Sequence, residues 1–184
     1  MIVWVNGAFG SGKSTLTEEL HRRWPDAIVF DPEYLGYALR SYISVPTGDF
    51  QDLPLWRHLV AETALGLREH GDLVLVPMTL VNPTYFRQIM DAIGRKGERL
   101  VHVFLDVERS VLEARINAQL IHPDDPAADR AARAFRLSNM DRCLAASSSM
   151  PADTLHVRSD LLSTPQLADR VCAFVADEMT KGPR

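Results

Sequence analysis

The sequence predicts a single α/β domain with a five-stranded parallel sheet that is covered on both faces by helices. Three observations lead to this prediction. Short apolar runs alternate with longer amphipathic stretches along the chain. The short runs are apolar throughout, which is typical of parallel strands buried on both faces. A glycine-rich loop also lies between the first apolar run and a helical pattern, and this is the context of a phosphate-binding loop.

One domain spanning residues 1–184 is expected because this length suffices for a full core and no linker or repeat interrupts it. The net charge of −4 gives no reason to expect nucleic acid. The distant Cys143 and Cys172 suggest thiols in a reducing compartment. The first strand begins at Met1, which leaves no room for a signal peptide. No apolar run approaches the ~20 residues that span a bilayer, so a cytoplasmic protein is expected.

The first strand and the loop behind it form the amino end. Residues 2–6 are mostly apolar and rich in β-formers, and residues 7–14, GAFGSGKS, satisfy G-x-x-x-x-G-K-[ST]. Such a loop points successive N–H groups at a phosphate, and the following helix adds its dipole. We expect Lys13 to reach the β- and γ-phosphates of a nucleoside triphosphate and Ser14 to ligate Mg²⁺. The predicted nucleotide-binding residues here are Gly7, Ala8, Phe9, Gly10, Ser11, Gly12, Lys13, Ser14 and Thr15.

The remaining elements follow in order. The first helix has an apolar stripe with four-residue spacing and ends at Pro25. Further strands are predicted at 27–30, 73–76, 100–105 and 154–157, and further helices from 32, from 54 to the Gly71-Asp72 pair, from 83 to Gly94, over 108–120 and 127–146, and from the Thr164-Pro165 pair. Residues 43–53 are predicted to form a loop, and Asp106 to cap the helix after the fourth strand.

A carboxylate stands at the end of the second predicted strand. Ligands bind at the carboxyl ends of parallel strands, so Asp31 is expected to face the γ-phosphate. There it could take the proton of an acceptor hydroxyl and help to position Mg²⁺. The alternative role is a cap for the helix that starts at Pro32, and the two roles are compatible.

Arginines cluster late in the chain, where planar guanidinium groups suit the charge on a transferring phosphoryl group. They are Arg115, Arg130, Arg133, Arg136 and Arg142. We expect at least one of Arg115, Arg133 and Arg142 to act on phosphate, and a solvated helix face is the alternative for any single one. The Pro- and Asp-rich segment 122–126 is predicted to be the tip of a lid over about 115–136 that closes on the site.

An acceptor pocket is expected between Asp31 and the two helices that follow it, in the region of about 32–70. Aromatic residues beside arginines suit a ring-bearing polar ligand. The candidates are Tyr34, Tyr37, Arg40, Phe50, Trp56 and Arg57, with Thr79 at the end of the third strand. Trp56 stands at helical spacing and could equally belong to the core.

Together these parts resemble the small-molecule kinases of the nucleoside monophosphate kinase-like group, which share the early P-loop, an acid after strand two and an arginine-bearing lid. More closely, the chain is similar to the ATP-binding tunicamycin-resistance proteins of bacteria. This resemblance covers most of the chain and is carried by WVNGAFGSGKS (4–14), ELHRRW (19–24), FDPEYLGYALRS (30–41), DFQDLPLWR (49–57), LVPMTLVNPTYF (75–86) and MDRCLAASS (140–148).

The resemblance implies a P-loop kinase fold with strand order 2-3-1-4-5 that binds ATP with Mg²⁺ and the nucleoside antibiotic tunicamycin. By analogy, Arg57 would hold the ligand near Asp31, and the segment of Ser159 and Asp160 would lie against the adenine. Strand three ends in Pro-Met-Thr, without the usual acid, so Mg²⁺ would depend on Ser14, water and Asp31. The membrane-associated extension of longer family members has no counterpart in this sequence, so membrane attachment is not implied.

The leading hypothesis is an ATP-dependent phosphotransferase that acts on tunicamycin or a related hydroxylated nucleoside. Its expected catalytic residues are Lys13, Asp31, Arg115 and Arg142, with Arg115 also at the nucleotide. One alternative is a protein that sequesters the drug without chemistry, and another is a kinase for an ordinary metabolite. A GTPase is disfavoured because no N-K-x-D signature is present. The sequence does not decide between a monomer and a homodimer.

Overall fold

The computed structural model describes residues 1–181 and contains one five-stranded sheet in the order β2-β3-β1-β4-β5. All neighbouring strands are parallel. The strands are β1 (Ile2–Gly7), β2 (Ile28–Val29), β3 (Val74–Pro77), β4 (Leu100–Asp106) and β5 (Leu155–Arg158). The predicted fold class, strand number and strand order are therefore confirmed. The predicted domain ran to residue 184, and its last three residues lie outside this description.

Helices connect the strands and cover both faces of the sheet. They are α1 (Lys13–Arg23), α2 (Glu33–Arg40), α3 (Pro54–Leu67), α4 (Pro83–Gly94), α5 (Arg109–Ala118), α6 (Pro126–Ser138), α7 (Met140–Ala146) and α8 (Thr164–Thr180), with 3-10 turns at Phe50–Asp52 and Ser147–Ser149. Within residues 1–181, every helix is too short or too polar to cross a membrane.

The central strand β1 explains how two cores form around one sheet. Its side chains alternate between the faces, so that Val3 and Val5 pack with α1 and α8 while Ile2 and Trp4 pack with α3 and α4. All four are completely buried. A third apolar cluster joins the P-loop residue Ala8 to α5 and α7. The loop is thereby fixed to the late helices as well as to the sheet.

The structure corrects three predicted boundaries. The helix predicted over 127–146 is two helices that meet at Asn139, which closes α6 and precedes α7. Asp106 ends β4, and Glu108 caps α5 instead by accepting from the amide of Ser110 at 2.7 Å. The last helix is capped by Ser163. For α5 and α8, the residue that caps the helix lies one or two positions from the predicted one.

A buried polar network holds the carboxyl ends of the central strands together. Asn6 Oδ1 accepts from the amides of Gly7 at 2.8 Å and Leu80 at 2.9 Å, and Asn6 Nδ2 lies 3.2 Å from His102 Nε2. His102 Nδ1 lies 2.8 Å from Thr154 Oγ1. Burial lowers the pKa of His102 to about 3, so the ring is neutral. A neutral ring can accept from Asn6 and donate to Thr154.

Candidate active site

The P-loop has the backbone that a phosphate cradle requires. Gly7, Gly10 and Gly12 all have positive φ angles, of 140°, 80° and 97°. At Gly7 a Cβ would come within 2.9 Å of the Leu105 carbonyl oxygen, so this position excludes a side chain for steric reasons too. Gly12 precedes the first turn of α1. The amino end of α1 therefore adjoins the loop, as the motif predicted.

Lys13 lies across the loop. Its Nζ donates to the carbonyl oxygens of Ala8 at 2.8 Å and Gly7 at 3.2 Å. The Gly7 oxygen also accepts from the Thr79 hydroxyl at 2.9 Å, which ties the end of β3 to the loop. Burial lowers the pKa of Lys13 to about 8. A bound phosphate would supply the negative charge that favours the protonated ammonium.

Two carboxylates follow β2, and they accept hydrogen bonds from different groups. Asp31 Oδ1 accepts from the amide of Glu33 at 2.9 Å, which is the capping role that the sequence allowed. Burial raises the pKa of Asp31. Glu33 Oε2 accepts from the Tyr37 hydroxyl at 2.8 Å. The negative charges of both carboxylates raise the pKa of Lys13, that of Glu33 more than that of Asp31, so both lie within electrostatic reach of the ammonium.

A cavity of about 470 Å³ opens beside these groups, between the P-loop, α2, the 48–51 segment, the end of β3 and the predicted lid. Its walls combine aromatic rings, arginines and acids. The lining residues are Phe9, Glu33, Tyr37, Arg40, Gly48, Asp49, Phe50, Gln51, Met78, Thr79, Val81, Ile121, His122, Ala132, Phe135, Arg136 and Arg142. Of the acceptor residues predicted from the sequence, Tyr37, Arg40, Phe50 and Thr79 lie in this wall. Asp31, Tyr34, Trp56 and Arg57 are not part of it.

A row of aromatic rings explains where two of those residues lie. The ring centres are 6.4 Å apart between Tyr34 and Tyr37, 6.2 Å between Tyr37 and Phe50, and 5.3 Å between Phe50 and Trp56. Tyr34 is 73% exposed, at the outer end of the row. Trp56 is fully buried at the inner end and donates its Nε1 hydrogen to the Pro32 carbonyl at 3.1 Å. The structure therefore places Trp56 in the core, which was one of its two interpretations. Its hydrogen bond to Pro32 connects this core to the start of α2.

Arg57 lies behind the cavity wall, and its guanidinium makes its contacts inside the protein. Its Nε donates to Gln88 Oε1 at 2.6 Å, another nitrogen donates to the Gln51 carbonyl, and the group lies 4.1 Å from the centre of the Tyr85 ring. Gln51 in turn donates through Nε2 to the Thr79 carbonyl at 2.8 Å. Arg57 therefore shapes the cavity wall through Gln51 and is buried away from the cavity itself.

Arg115 and Ser159, which were both predicted to lie at the nucleotide, are in contact with each other. Arg115 donates to the Ser159 carbonyl at 2.9 Å, and its Cβ lies 3.9 Å from where a Cβ of Gly10 would stand. Asp160 is held by Arg158 Nε at 2.8 Å and by the amide of Glu108 at 3.1 Å. Its carboxylate thus organises the turn after β5 rather than pairing with Arg115.

The late arginines differ in what they contact. Arg133 is paired with Asp129 at 2.7 Å within α6. Arg142 lies in the cavity wall, 3.9 Å from Asp49. Arg136 also lines the cavity, stands 5.8 Å from the centre of the Phe9 ring, and lowers the pKa of Lys13 through its charge. The sequence shows Arg136 as one of the clustered arginines but does not mark it as a site residue, because the pattern does not say which face of α6 meets the P-loop.

The predicted lid is held by one buried acid. Asp129 on α6 accepts from the amides of Ile121 at 2.7 Å and His122 at 3.2 Å. Ile121 and His122 both line the cavity. Asp129 therefore couples the position of α6 to the chain segment that forms the outer wall. Across residues 1–181, there is no group of three or more His, Cys, Asp and Glu side chains that could hold a metal ion.

Several solved structures share this architecture. The tunicamycin resistance protein of Deinococcus radiodurans is 26% identical with a TM-score of 0.69, and the match covers 95% of this chain and 94% of that one. An APS kinase of Mycobacterium tuberculosis, in complex with AMPPNP and APS, is 20% identical with a TM-score of 0.66, covering 95% and 96%. A gluconokinase of Sinorhizobium meliloti is 16% identical with a TM-score of 0.59, covering 96% and 91%. The last two show the fold alone.

No curated protein matches the chain in sequence. A family model described as an AAA domain matches residues 2–141, which contain the P-loop, the first four strands and the predicted lid. The P-loop in a chain that this family model matches implies that the protein binds a nucleotide. The chain belongs to the AAA domain family, in its P-loop kinase-like form.

Proposed function

We propose that this protein is an ATP- and Mg²⁺-dependent small-molecule kinase that transfers the γ-phosphate of ATP to a hydroxyl group of tunicamycin or a related nucleoside. The observation that carries the proposal is that the cavity wall joins Phe9 of the P-loop to Glu33, Arg136 and Arg142. A nucleotide bound by Lys13 would thus meet a second ligand in that cavity. The likeness to the tunicamycin resistance protein, at 26% identity over 95% of this chain, supports the choice of acceptor.

The nucleotide half of the site would be formed by the P-loop, Arg115 and Ser159. Loop amides and Lys13 would bind the phosphates, and Arg115 with Ser159 would lie at the adenosine side. Mg²⁺ in such sites is typically held by the phosphates, water and one or two side chains. Ser14, which is exposed at the start of α1, and Asp31 would be those one or two side chains. Bound Mg²⁺ would neutralise charge on the β- and γ-phosphates.

In the acceptor half, a hydroxyl group would lie between the two carboxylates and the γ-phosphate. Asp31, whose pKa is raised by burial, would take the hydroxyl proton, because a base works best when its pKa is near the working pH. Glu33 in the cavity wall would bind and orient the same hydroxyl. Lys13 with Arg136 or Arg142 would stabilise the negative charge on the phosphoryl group in transfer. Such a reaction would use the ATP of the cytoplasm.

The shape of the cavity fits a ring-bearing acceptor of moderate size. About 470 Å³ lies within the range of small-molecule sites. Phe9, Tyr37, Phe50 and Phe135 offer aromatic surfaces to a base or sugar ring, and Arg40 lies 5.0 Å from the Phe50 ring centre. A nucleoside could stack on these rings while it directs a hydroxyl towards the phosphate.

A protein that binds the drug without modifying it is the second candidate. The observation that favours it is the hydrogen bond from the Glu33 amide to Asp31, because this bond gives the carboxylate a structural role that needs no chemistry. A kinase for an ordinary metabolite is the third, since a gluconokinase and an APS kinase have the same fold.

The test is to incubate the purified protein with ATP, Mg²⁺ and tunicamycin and to analyse the drug by mass spectrometry. We expect a product that is heavier by one phosphoryl group and that is absent with Asp31→Asn. Intact drug that binds tightly in the presence of ATP would support sequestration. If the drug neither reacts nor binds, uridine, gluconate and adenylyl sulfate should be tested as acceptors by measuring ADP release.

A further inference from the structure

Phe9 is an aromatic residue within the phosphate-binding loop, and its side chain lies between the loop and the late helices. It packs against the apolar cluster of α5 and α7. Its ring also meets Phe135 of α6 edge-on, with the centres 5.7 Å apart. Phe9 therefore connects the loop that would bind phosphate to the helix that carries Arg136.

Two cations lie over the same ring. Lys13 Nζ and Arg136 Cζ are each 5.8 Å from the centre of Phe9. An aromatic face attracts a cation at this distance through its quadrupole. Arg136 and Lys13 have charges of the same sign, and the charge of Arg136 lowers the pKa of Lys13. The ring thus offers both cations an attractive contact at a place where they otherwise repel each other.

Arg136 has two further interactions at this place. Its guanidinium donates to the side chain of Gln119, in the segment after α5. Burial lowers the pKa of Arg136, and the carboxylate of Glu33 opposes that effect. Arg133, one turn earlier on the same helix, is instead paired with Asp129 inside the lid. Of these two α6 arginines, Arg136 is the one that borders the P-loop and the cavity.

We propose that Phe9 is a positioning residue that holds the Arg136 guanidinium beside Lys13, so that both cations meet the γ-phosphate of ATP. The ring acts through the two cations and has no chemistry of its own. The proposal rests on the nucleotide half of the proposed function and is independent of which acceptor is used. It also explains why an aromatic side chain suits a loop position that a small residue could fill.

The experiment compares nucleotide binding to four variants by isothermal titration calorimetry in the presence of Mg²⁺. The variants are Phe9→Leu, Phe9→Tyr, Arg136→Met and the double variant Phe9→Leu/Arg136→Met. The ligands are AMPPNP, which carries a γ-phosphate, and ADP, which does not. Arg130→Met on the exposed side of α6 is the matched arginine control. Circular dichroism and thermal unfolding establish that each variant is folded.

We expect Arg136→Met to weaken AMPPNP binding about tenfold and Phe9→Leu to weaken it about threefold to tenfold. ADP binding should change less than twofold in both, because ADP lacks the phosphate that the two cations share. Phe9→Tyr keeps the ring and should restore most of the affinity. The double variant should bind AMPPNP no more weakly than Arg136→Met alone, since Phe9 acts through Arg136.

Equal losses for ADP and AMPPNP in Phe9→Leu would overturn the proposal, because they would show a packing role only. Additive losses in the double variant would overturn it as well. If Phe9→Leu fails to fold, Phe9→Met replaces it in the same cycle. A protein that binds AMPPNP as expected but phosphorylates no acceptor would contradict the proposed function and leave this inference standing.

Discussion

The amide of Glu33 donates a hydrogen bond of 2.9 Å to Asp31 Oδ1, so the first carboxylate after β2 caps the helix that carries the second. This contact combines a structural and a proposed chemical role in one side chain. A substitution that removes the Asp31 charge but keeps an oxygen acceptor can separate them. Asparagine does so, because it is as good a cap as aspartate.

Asp31→Asn is therefore expected to lower kcat at least about a hundredfold, as for the loss of a general base, with little change in thermal stability or ATP affinity. Glu33→Gln should mainly raise the KM for the acceptor, since Glu33 lies in the cavity wall. Steady-state kinetics with the phosphorylated acceptor give both numbers. If turnover is lost in Glu33→Gln and kept in Asp31→Asn, the base is Glu33.

The pKa of Lys13 makes nucleotide binding depend on pH. Burial lowers this pKa to about 8 in the free protein, and phosphates raise it again when they bind. Binding therefore takes up a proton above pH 8, and the ATP affinity should fall by up to about tenfold per pH unit from there. Calorimetry between pH 7 and 9.5 measures this decline. Lys13→Arg keeps its charge and should show weaker binding that is flat over the same range. An affinity of the unaltered protein that stays constant to pH 9.5 would contradict the assignment.

His102 should contribute to unfolding in acid. Its pKa is about 3 in the folded protein against 6.5 for a free histidine, so between these values the unfolded chain binds the extra proton. Stability that is present above pH 6.5 is then lost as the pH falls, by about 2 kcal/mol between pH 7 and 5.

Urea unfolding at pH 7 and 5 tests this expectation. The variant His102→Gln should be less stable at pH 7, because it disturbs the bond to Asn6, and should lose less stability on acidification than the unaltered protein. His58→Gln, at an exposed position of α3, is the control and should keep the full acid dependence. Equal losses in all three proteins would show that His102 is not the group responsible.

Gly36 and Gly66 form a matched pair of helical glycines. A Cβ at Gly36 would lie 2.4 Å from Phe50 Cδ1, whereas a Cβ at Gly66 would have nothing within 4 Å. Gly36→Ala should therefore destabilise the protein by about 1–3 kcal/mol and weaken acceptor binding, because Phe50 forms part of the cavity wall. Gly66→Ala should stabilise it by up to about 1 kcal/mol. The unfolding midpoints of both variants test these expectations. A stabilised Gly36→Ala protein would mean that the Phe50 ring moves aside freely.

The fold could be predicted because its signals are local. The apolar residues 2–6, the glycine loop and the prolines that start α3 and α4 each determine their own stretch of backbone. Helix starts were harder to predict where two nearby acids can each cap the same helix. Asp106 and Glu108 are such a pair, and Glu108 is the cap. After the break at Asn139, α7 packs with Ala8 of the P-loop, and no local sequence pattern indicates this distant contact.

The roles of individual side chains were harder to predict because they depend on distant partners. Arg57 and Gln88 are 31 residues apart, and the sequence around Arg57 does not indicate that Gln88 is its partner. From the sequence alone, Trp56 could equally pack in the core or contact a ligand. Its contact with Phe50 is visible only in the structure. Arg136 and Arg133 look alike in sequence, and only the orientation of α6 separates them. The sequence therefore predicted the residue types that surround the cavity better than it predicted which individual residues do so.

The cavity wall and the phosphate-binding loop belong to different parts of the fold. Glu33, Tyr37 and Arg40 on α2, the 48–51 segment and the lid residues lie outside the sheet, whereas the loop that would hold the phosphates follows directly from β1. Exchanges in these outer segments alter the acceptor wall without touching the strand that supports the loop. One architecture can therefore serve different acceptors through changes in these outer segments, while the phosphate-binding loop stays the same.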